Sequence, residues 1–398
     1  HWSGLLGGPC LRDRCMAKRK RRQEEEEDEQ EDESGESEAV GSEVYAWHFD
    51  MLHDDARTAA FANAFERLPK AAVDGVALDI GCGSGILGMV LLQCRPEVKR
   101  VVSFESDTAL ACVARDNFRG SPSSSKIDVH ACRSTSVASL RELGGVRKGP
   151  DRAGLVVAEI LDAGLLGEDC LKTLRHASER LLTPGYSAVP ASAEVYACLT
   201  ESATLASWQH LRDNPLLPAK YLRDDGDGNP HDVALERLSS AGEARVLSSE
   251  FRAMSVDFET LPPEAGRCEV LSVEATESGR LDAVVFWWLC RMVRGDADGS
   301  LTNAPPWAPS AAHLAGRAEV DHWRQSVCVL PRPTRHLTRG QVLRIAVLHN
   351  DDDIWFRVLD DGGIPPSPRE VPKATTRMQL WSQARIWELG DERRTLAP

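Results

Sequence analysis

Short apolar runs alternate with helical stretches between residues 44 and 185. Runs rich in β-branched residues predict buried strands, and the stretches that begin at Gly85, Thr108 and Glu168 have helical spacing. The predicted strands are residues 76–81, 100–105, 127–131 and 154–160. Because strands that alternate with helices form a mostly parallel sheet with helices on its faces, we expect a Rossmann-like α/β domain here.

The pattern changes after residue 185. Apolar runs of β character follow one another and helical periodicity largely disappears, so we expect a β-barrel-like domain over residues 186–365. The runs are residues 193–202, 281–293, 326–331, 342–349 and 354–359. Between them, residues 213–241 are rich in Asp, Gly and Pro, which predicts a loop or protruding arm.

Both ends of the chain lack such patterns. Residues 1–43 contain a basic run, Lys18–Arg22, followed by eleven carboxylates between Glu24 and Glu38, which predicts a disordered charged tail. The basic run fits a nuclear localisation signal and equally a charged, solvated N-terminus. Residues 366–398 are expected to form a linker.

The charge of the chain narrows its partners. The net charge is −14, and the acidic excess extends beyond the N-terminal tail. An acidic body argues against direct nucleic-acid binding and fits a basic partner. No apolar run is long enough to predict a membrane span, and the eleven cysteines are scattered without CxxC spacing. We therefore expect a soluble protein with reduced thiols in the cytoplasm or nucleus.

A glycine-rich loop follows the first predicted strand. Asp79 lies at the end of that strand, and Gly81, Gly83 and Gly85 precede a predicted helix. Glycines permit a sharp turn and close approach of a ligand, and the helix N-terminus offers unpaired N–H groups. By itself, this spacing indicates only a nucleotide-like ligand.

An acid also ends the second predicted strand. Glu105 is placed to accept both hydroxyls of a ribose in the crevice above the sheet. The glycine spacing is not that of dinucleotide-binding proteins, and Asp79 precedes the glycines, so an adenosyl ligand is favoured. The arrangement resembles class I methyltransferases, which implies S-adenosylmethionine as the cofactor.

A second acidic pair follows the fourth predicted strand. Glu159 and Glu168 lie nine residues apart, separated by a segment that contains two glycines and ends at a predicted helix. We call residues 159–168 the acidic loop. If both carboxylates face one point above the sheet, they can bind the planar array of donors of a guanidinium group. Taken alone, Glu168 also fits a helix N-terminal charge.

This pair, in this position, resembles the double-glutamate loop of the protein arginine methyltransferases. The segment from Phe49 to Thr58 is similar to the helix that covers the cofactor in that family, and Asp321–His322–Trp323 to its Thr-His-Trp loop, with aspartate in place of threonine. The resemblance extends over about residues 44–395. It implies methyl transfer from S-adenosylmethionine to a protein arginine.

The resemblance also implies roles for single residues. Arg57 is expected to hold the methionine carboxylate of the cofactor, and Met51 to lie near the reacting methyl. His322 is expected to pair with Asp54 as a proton relay, and Trp323 to line the arginine pocket. Glu159 and Glu168 are the expected catalytic glutamates.

Several details are similar to the family member of type III, which makes only monomethylarginine in basic substrates such as histones. Asp162, inside the acidic loop, and Gln325 are expected to narrow the substrate pocket and stop the reaction after one methyl. Other segments are similar to a symmetric dimethylating member, which is the alternative.

The chain departs from the family pattern in two places. The type III enzyme has two tandem modules, whereas residues 366–398 resemble only the start of a second one. Because the family usually needs paired modules, we expect a homodimer. The segment 369–381 contains neither Cys nor His where the family has a zinc-binding linker, so we expect no metal.

Two functions from other classes fit parts of the sequence. One is an interaction protein that holds basic partners without turnover, and the other is a methyltransferase acting on a small molecule. An enzyme is favoured over an interaction protein by the acidic pair Glu159 and Glu168 together with Arg57 and Glu105. A protein substrate is favoured over a small molecule by the β-rich domain.

Overall fold

A computed structural model of the chain describes residues 46–143, 151–207, 231–296, 301–314, 323–330, 334–360 and 362–367. The predicted N-terminal tail, most of the predicted arm and nearly all of the predicted linker lie outside the described residues.

The described helices and strands alternate in the first half of the chain, and strands predominate in the second. The α-helices are α1 Ala46–His53, α2 Asp55–Arg67, α3 Lys70–Val73, α4 Ile86–Cys94, α5 Thr108–Arg119, α6 Cys170–Arg180, α7 Ala203–Ser207 and α8 Leu235–Ser240, and the 3-10 helices are Ser124–Lys126, Ser134–Ser136 and Pro309–Leu314. The strands of the first half are β1 Val76–Ile80, β2 Arg100–Glu105, β3 Ile127–Ala131, β4 Ala153–Ala158 and β5 Leu182–Val189. Those of the second half are β6 Ser192–Glu201, β7 His231–Val233, β8 Arg245–Val246, β9 Phe251–Asp257, β10 Arg267–Glu274, β11 Gly279–Leu281, β12 Ala283–Arg291, β13 Leu301–Thr302, β14 Gln325–Val329, β15 Arg335–Leu337, β16 Val342–His349 and β17 Ile354–Leu359.

The first half folds around a five-stranded sheet with the order β3-β2-β1-β4-β5. All four pairings in this sheet are parallel. The residues of β1 are all buried, as expected for a strand covered by helices on both faces. The predicted Rossmann-like domain is confirmed, and its last strand, β5, continues to Val189, a few residues past the predicted boundary.

The second half is built from antiparallel strands. One sheet has the path β7-β14-β12-β6-β8, with β13 on β12 and β9 on β6, and a second has the order β10-β16-β17. The predicted β-rich second domain is confirmed. The predicted arm is wrong at its C-terminal end, because residues 231–240 form β7 and α8 and bury Val233 and Leu235 in the apolar core of this domain.

Strand β12 runs through the middle of the second domain. Successive side chains of a strand point to opposite faces, so its two tryptophans separate. Trp287 packs in an apolar cluster with Leu235 and Ala308, whereas Trp288 belongs to the large core that also contains Phe61 of α2 and Val156 of β4. Trp288 therefore joins the two halves of the molecule.

Helix α6 is fixed to the turn between β16 and β17. Arg175 donates two hydrogen bonds to the carboxylate of Asp351, at 2.8 and 3.3 Å, and a third to Pro262 O at 3.0 Å. Because Asp351 is buried, this bidentate pair is held more firmly than an exposed one. The helix that follows the acidic loop is thus anchored to the second domain. None of the helices in the described ranges is both long and apolar enough to cross a membrane.

Candidate functional site

The site lies where the order of the parallel sheet reverses. Strands β1 and β4 are neighbours, and each leads into one of the segments singled out in the sequence. Ligands of such sheets bind outside the carboxyl ends of the strands at this switch point. The two segments touch, since a Cβ atom on Gly81 would lie 2.5 Å from Ile160 Cγ2.

The glycine-rich loop has the predicted conformation. Gly81, Gly83 and Gly85 all have positive φ angles, and α4 begins directly after them without a side-chain cap. Apart from the N–H of Gly88, which bonds Asp79, its first N–H groups are thus available to a ligand. Asp79 is buried, and one of its carboxylate oxygens has no hydrogen-bond partner among the described residues. Burial raises the pKa of Asp79 to about 7, opposed by the N–H of Gly88 and reinforced by the charge of Glu105.

Glu105 ends β2 beside this loop. Its carboxylate accepts hydrogen bonds from Gly83 N at 2.8 Å and from Asp107 N at 2.9 Å. A carboxylate has about four lone-pair sites, so the group can still accept the hydroxyls of a ribose. The unpartnered oxygen of Asp79, the uncapped helix and Glu105 together fit an adenosyl ligand.

Arg57 and Glu159 form a buried ion pair. Nε of Arg57 donates to Glu159 Oε2 at 3.1 Å, and Nη2 of Arg57 contacts the same oxygen. Burial raises the pKa of Glu159, and the charge and hydrogen bonds of Arg57 oppose that shift. Arg57 was expected to bind the carboxylate of the cofactor. In this structure it binds Glu159, the carboxylate that was expected to bind the substrate.

Glu168 completes the acidic pair. Glu168 is exposed to solvent, although many protein atoms surround its carboxyl group. Burial, together with the charges of Glu159, Asp162 and Glu105, raises the pKa of Glu168 to about 8. The charge of Glu159 is one cause of the raised pKa of Glu168, so the two acids interact electrostatically.

Asp162 turns back into the acidic loop. Its Oδ1 accepts a hydrogen bond from Gly167 N at 2.9 Å, and a Cβ on Gly167 would lie 2.2 Å from Asp162 Oδ2. Burial raises the pKa of Asp162 to about 6, opposed by the Gly167 N–H and reinforced by the charge of Asp232. Asp162 therefore shapes the loop, and its predicted part in narrowing the pocket stays a prediction.

Two further predicted residues lie on or beside the helices that precede β1. Asp54 caps α2, accepting a hydrogen bond from Arg57 N at 2.8 Å, and thereby fixes the start of the helix that contains Arg57. Met51, on α1, is half-buried. Asp321 and His322 lie outside the described residues, so the pairing of His322 with Asp54 stays a prediction.

Trp323 and Gln325 have contacts that the sequence did not suggest. The indole N–H of Trp323 donates to Leu161 O at 3.0 Å. The amide of Gln325 accepts from Leu235 N at 2.8 Å and donates to Asn303 O at 2.9 Å. Both residues contact protein groups around the acidic loop, and their predicted contact with the substrate stays a prediction.

Two residues around the acidic loop were missed. Trp288 and Asn303 both donate side-chain hydrogen bonds to its backbone. The sequence placed Trp288 in a strand and gave no reason to connect it with a loop 126 residues earlier. Asn303 follows only the two strand residues Leu301 and Thr302, so no sequence pattern indicated that its amide is buried.

The described ranges contain no group of three or more His, Cys, Asp or Glu arranged to hold a metal ion. The segment 369–381, on which the sequence-based expectation about zinc rests, lies outside those ranges.

Two family models match the chain. Residues 52–140 match the methyltransferase small domain, and residues 192–361 match the arginine methyltransferase oligomerization subdomain. The first covers the glycine-rich loop and Glu105, and the second begins at β6 and covers Trp288, Asn303 and Trp323.

Curated relatives cover most of the chain. It is 29% identical over 370 residues to protein arginine N-methyltransferase 7 of Drosophila persimilis, covering 85% of this chain and 51% of the relative. The same protein of Drosophila melanogaster is 28% identical over 372 residues, which cover 87% of this chain and 52% of the relative. The chain thus spans about half the length of these relatives.

Solved structures share the fold. The Trypanosoma brucei PRMT1 enzyme-prozyme heterotetrameric complex with AdoHcy matches with a TM-score of 0.60 and 19% identity, covering 79% of this chain and 93% of that chain. Arabidopsis thaliana protein arginine methyltransferase 10 matches with a TM-score of 0.58 and 18% identity, and the match covers 82% of this chain and 96% of that chain.

The raised pKa of Glu168 predicts a specific pH dependence of stability. A carboxyl group whose pKa is higher in the folded chain binds more protons there, so its contribution to stability falls as the pH rises from about 4.3, the unfolded value, towards about 8. We therefore expect the melting temperature of Glu168→Gln, measured relative to that of the unsubstituted chain, to rise as the pH is raised from about 6 to about 9. Thermal unfolding across this range measures the difference.

The matched control is Glu66→Gln, on the exposed side of α2. Its melting temperature is expected to follow that of the unsubstituted chain at every pH. A constant difference between Glu168→Gln and the unsubstituted chain across the range would contradict the assigned pKa.

Proposed function

Because the chain belongs to the protein arginine methyltransferase family, we propose that it transfers a methyl group from S-adenosylmethionine to a guanidinium nitrogen of a protein arginine. The observation that supports this most is that Glu159 already binds a guanidinium, that of Arg57, while the charge of Glu159 also acts on Glu168.

The residues around the glycine-rich loop would hold the cofactor. Glu105 would accept the ribose hydroxyls, and the uncapped start of α4 would provide N–H donors. When bound, S-adenosylmethionine supplies an electrophilic methyl group on its sulfonium. The Trypanosoma brucei neighbour is a complex with AdoHcy, the product of such a transfer, which supports this assignment.

Glu159 and Glu168 would bind and orient the substrate guanidinium. The contact of Arg57 with Glu159 is an internal example of the same recognition, since a guanidinium occupies that carboxylate in the absence of substrate. Arg57 would have to leave Glu159 before a substrate arginine could bind there. The carboxylate of a bound cofactor near α2 would offer Arg57 another negatively charged partner. Binding of the cofactor by Arg57 would thereby free Glu159 for the substrate.

Binding of the guanidinium would also change the protonation of the site. With a pKa of about 8, Glu168 is largely neutral at pH 7 in this structure, and a cation beside it favours the ionised form. Substrate binding would then release a proton from Glu168. The proton that the methylated guanidinium loses would pass to His322 and Asp54, the relay that the family resemblance implies.

We propose basic proteins such as histones as substrates and monomethylarginine as the product. The net charge of −14 favours encounter with cationic chains. The acidic loop adds to this local negative charge: burial and the charges of Asp352 and Asp162 raise the pKa of Asp353 to about 6. The relatives named protein arginine N-methyltransferase 7 support the resemblance to the type III member. Asp162 and Gln325 remain the proposed determinants of a single methylation.

We also propose that the chain acts as a homodimer in the cytoplasm and nucleus. The match to an oligomerization subdomain over residues 192–361 supports association. The basic run Lys18–Arg22 supports nuclear entry.

A second function is favoured by one observation. The ion pair of Arg57 with Glu159 fills the substrate carboxylate, which would suit a catalytically weak module that holds basic partners without turnover. An assay of methyl transfer distinguishes the two functions.

Glu159→Gln is expected to abolish methyl transfer. The neutral amide cannot match the charge of the guanidinium, so the rate with an arginine-rich peptide should fall at least about 100-fold. Binding of S-adenosylhomocysteine should be as tight or tighter, because Arg57 is released from its carboxylate partner. A labelled-methyl assay and isothermal calorimetry measure the two effects, with Glu66→Gln as the control. Retained turnover in Glu159→Gln would refute the assigned role, and no turnover in the unsubstituted chain would favour the interaction module.

The product is expected to be monomethylarginine alone. Mass spectrometry of an arginine-rich histone peptide after exhaustive reaction should show a single added methyl on each modified arginine. Fragmentation that reveals symmetric dimethylarginine would replace the proposed type III activity with the alternative.

The chain is expected to be dimeric in solution. Light scattering should give about twice the mass of the 43.6 kDa chain at the concentrations used for assay. A monomer with full activity would contradict the proposed pairing.

A further inference from the structure

Three side chains of the second domain donate hydrogen bonds to three consecutive carbonyl groups of the acidic loop. They are Trp323 Nε1 to Leu161 O at 3.0 Å, Trp288 Nε1 to Asp162 O at 2.9 Å and Asn303 Nδ2 to Ala163 O at 3.0 Å. These carbonyls lie between the two glutamates, directly after Glu159 and Ile160. The backbone of the acidic loop is thus fixed from outside the parallel sheet.

Asn303 lies at the centre of these contacts. Besides Ala163 O, its Nδ2 donates to Arg324 O at 2.6 Å, and its Oδ1 accepts from Trp288 N at 2.8 Å. The residue is only 2% exposed, so these bonds have no competition from solvent. One amide therefore ties β12, the acidic loop and the segment before β14 together.

The two indoles support each other. Trp288 and Trp323 pack edge to face, with ring centroids 4.9 Å apart and an angle of 77° between the planes. Both residues are buried. Edge-to-face packing fixes the ring orientation, and with it the direction of each indole N–H.

The acidic loop needs such support because its backbone is strained. Leu165, inside the loop, and Asp169, directly after it, have φ angles of 78° and 59°, and they are the non-glycine residues with positive φ within the described ranges. A conformation of this kind persists only where the surroundings determine it, and such residues cluster at functional sites. Leu165 is fully buried, and its burial helps to hold the strained turn.

We infer that Asn303 is a positioning residue for the two glutamates, acting together with Trp288 through hydrogen bonds to the backbone of the acidic loop. This inference rests on the proposed methyl transfer to arginine. Asn303 acts through the loop, because both polar atoms of its side chain are engaged with protein groups.

Removal of these contacts should affect the substrate more than the cofactor. Displacement of a catalytic group by about 1 Å costs about 100-fold in rate, so we expect Asn303→Ala to lower kcat/KM for an arginine-rich peptide by about 10- to 100-fold. Both a lower kcat and a higher KM should contribute. The affinity for S-adenosylhomocysteine should change by less than about twofold, because Glu105 and the glycine-rich loop make none of these bonds.

Trp288→Phe provides an independent variant, since it removes the indole N–H and keeps an aromatic ring in the core. Its matched control is Trp287→Phe, the same substitution one residue earlier on β12. Trp287 is also buried, but its Nε1 donates to Ser310 Oγ at 3.3 Å and it packs in the other apolar cluster. A general loss of stability should affect both variants alike, whereas loss of positioning should affect Trp288→Phe alone.

The test combines steady-state kinetics with hydrogen exchange of the amides in residues 159–168, measured on the full chain with bound S-adenosylhomocysteine. We expect Asn303→Ala and Trp288→Phe to exchange faster in this segment and to lose kcat/KM, whereas Trp287→Phe behaves like the unsubstituted chain. Unchanged exchange and unchanged kinetics in Asn303→Ala would overturn the inference, and so would equal losses in all three variants. Hydrogen exchange needs no turnover, so faster exchange in Asn303→Ala with an inactive unsubstituted chain would refute the proposed function and leave the loop contacts supported.

Discussion

The position of the acidic loop backbone is the constraint on which the site depends. The proposed function requires its two carboxylates to meet at one point, although like charges repel and the turn between them includes a left-handed leucine. Hydrogen bonds from Trp288, Asn303 and Trp323 and the ion pair of Arg175 with Asp351 hold the two ends of this region against the second domain. The β-rich domain is therefore part of the site as well as its neighbour.

The electrostatics of the site follow from that arrangement. A carboxylate that is surrounded by protein and by other acids keeps its charge only when a cation compensates it. Here Arg57 compensates Glu159, while Glu168 has a pKa raised to about 8. In the proposed function, a substrate guanidinium would take the place that Arg57 occupies on Glu159, so Arg57 would have to change its partner before methyl transfer.

Much of the fold followed from local patterns. Each predicted strand of the parallel sheet lies within two residues of an observed one, because the buried strands β1, β2 and β4 need short apolar runs. The pairing of Glu159 with Arg57 and the support by Asn303 did not follow, because they join residues 102 and 140 positions apart. Residues 231–240 were misassigned as an arm, since short elements buried by distant partners have little periodicity of their own.

The most direct test of this account is a crystal structure of the chain with S-adenosylhomocysteine and an arginine-containing peptide. We expect the peptide guanidinium to lie within hydrogen-bonding distance of both Glu159 and Glu168, with Arg57 withdrawn to the carboxylate of the cofactor product. A structure in which both ligands are bound, Arg57 remains on Glu159 and the peptide arginine lies elsewhere would contradict it.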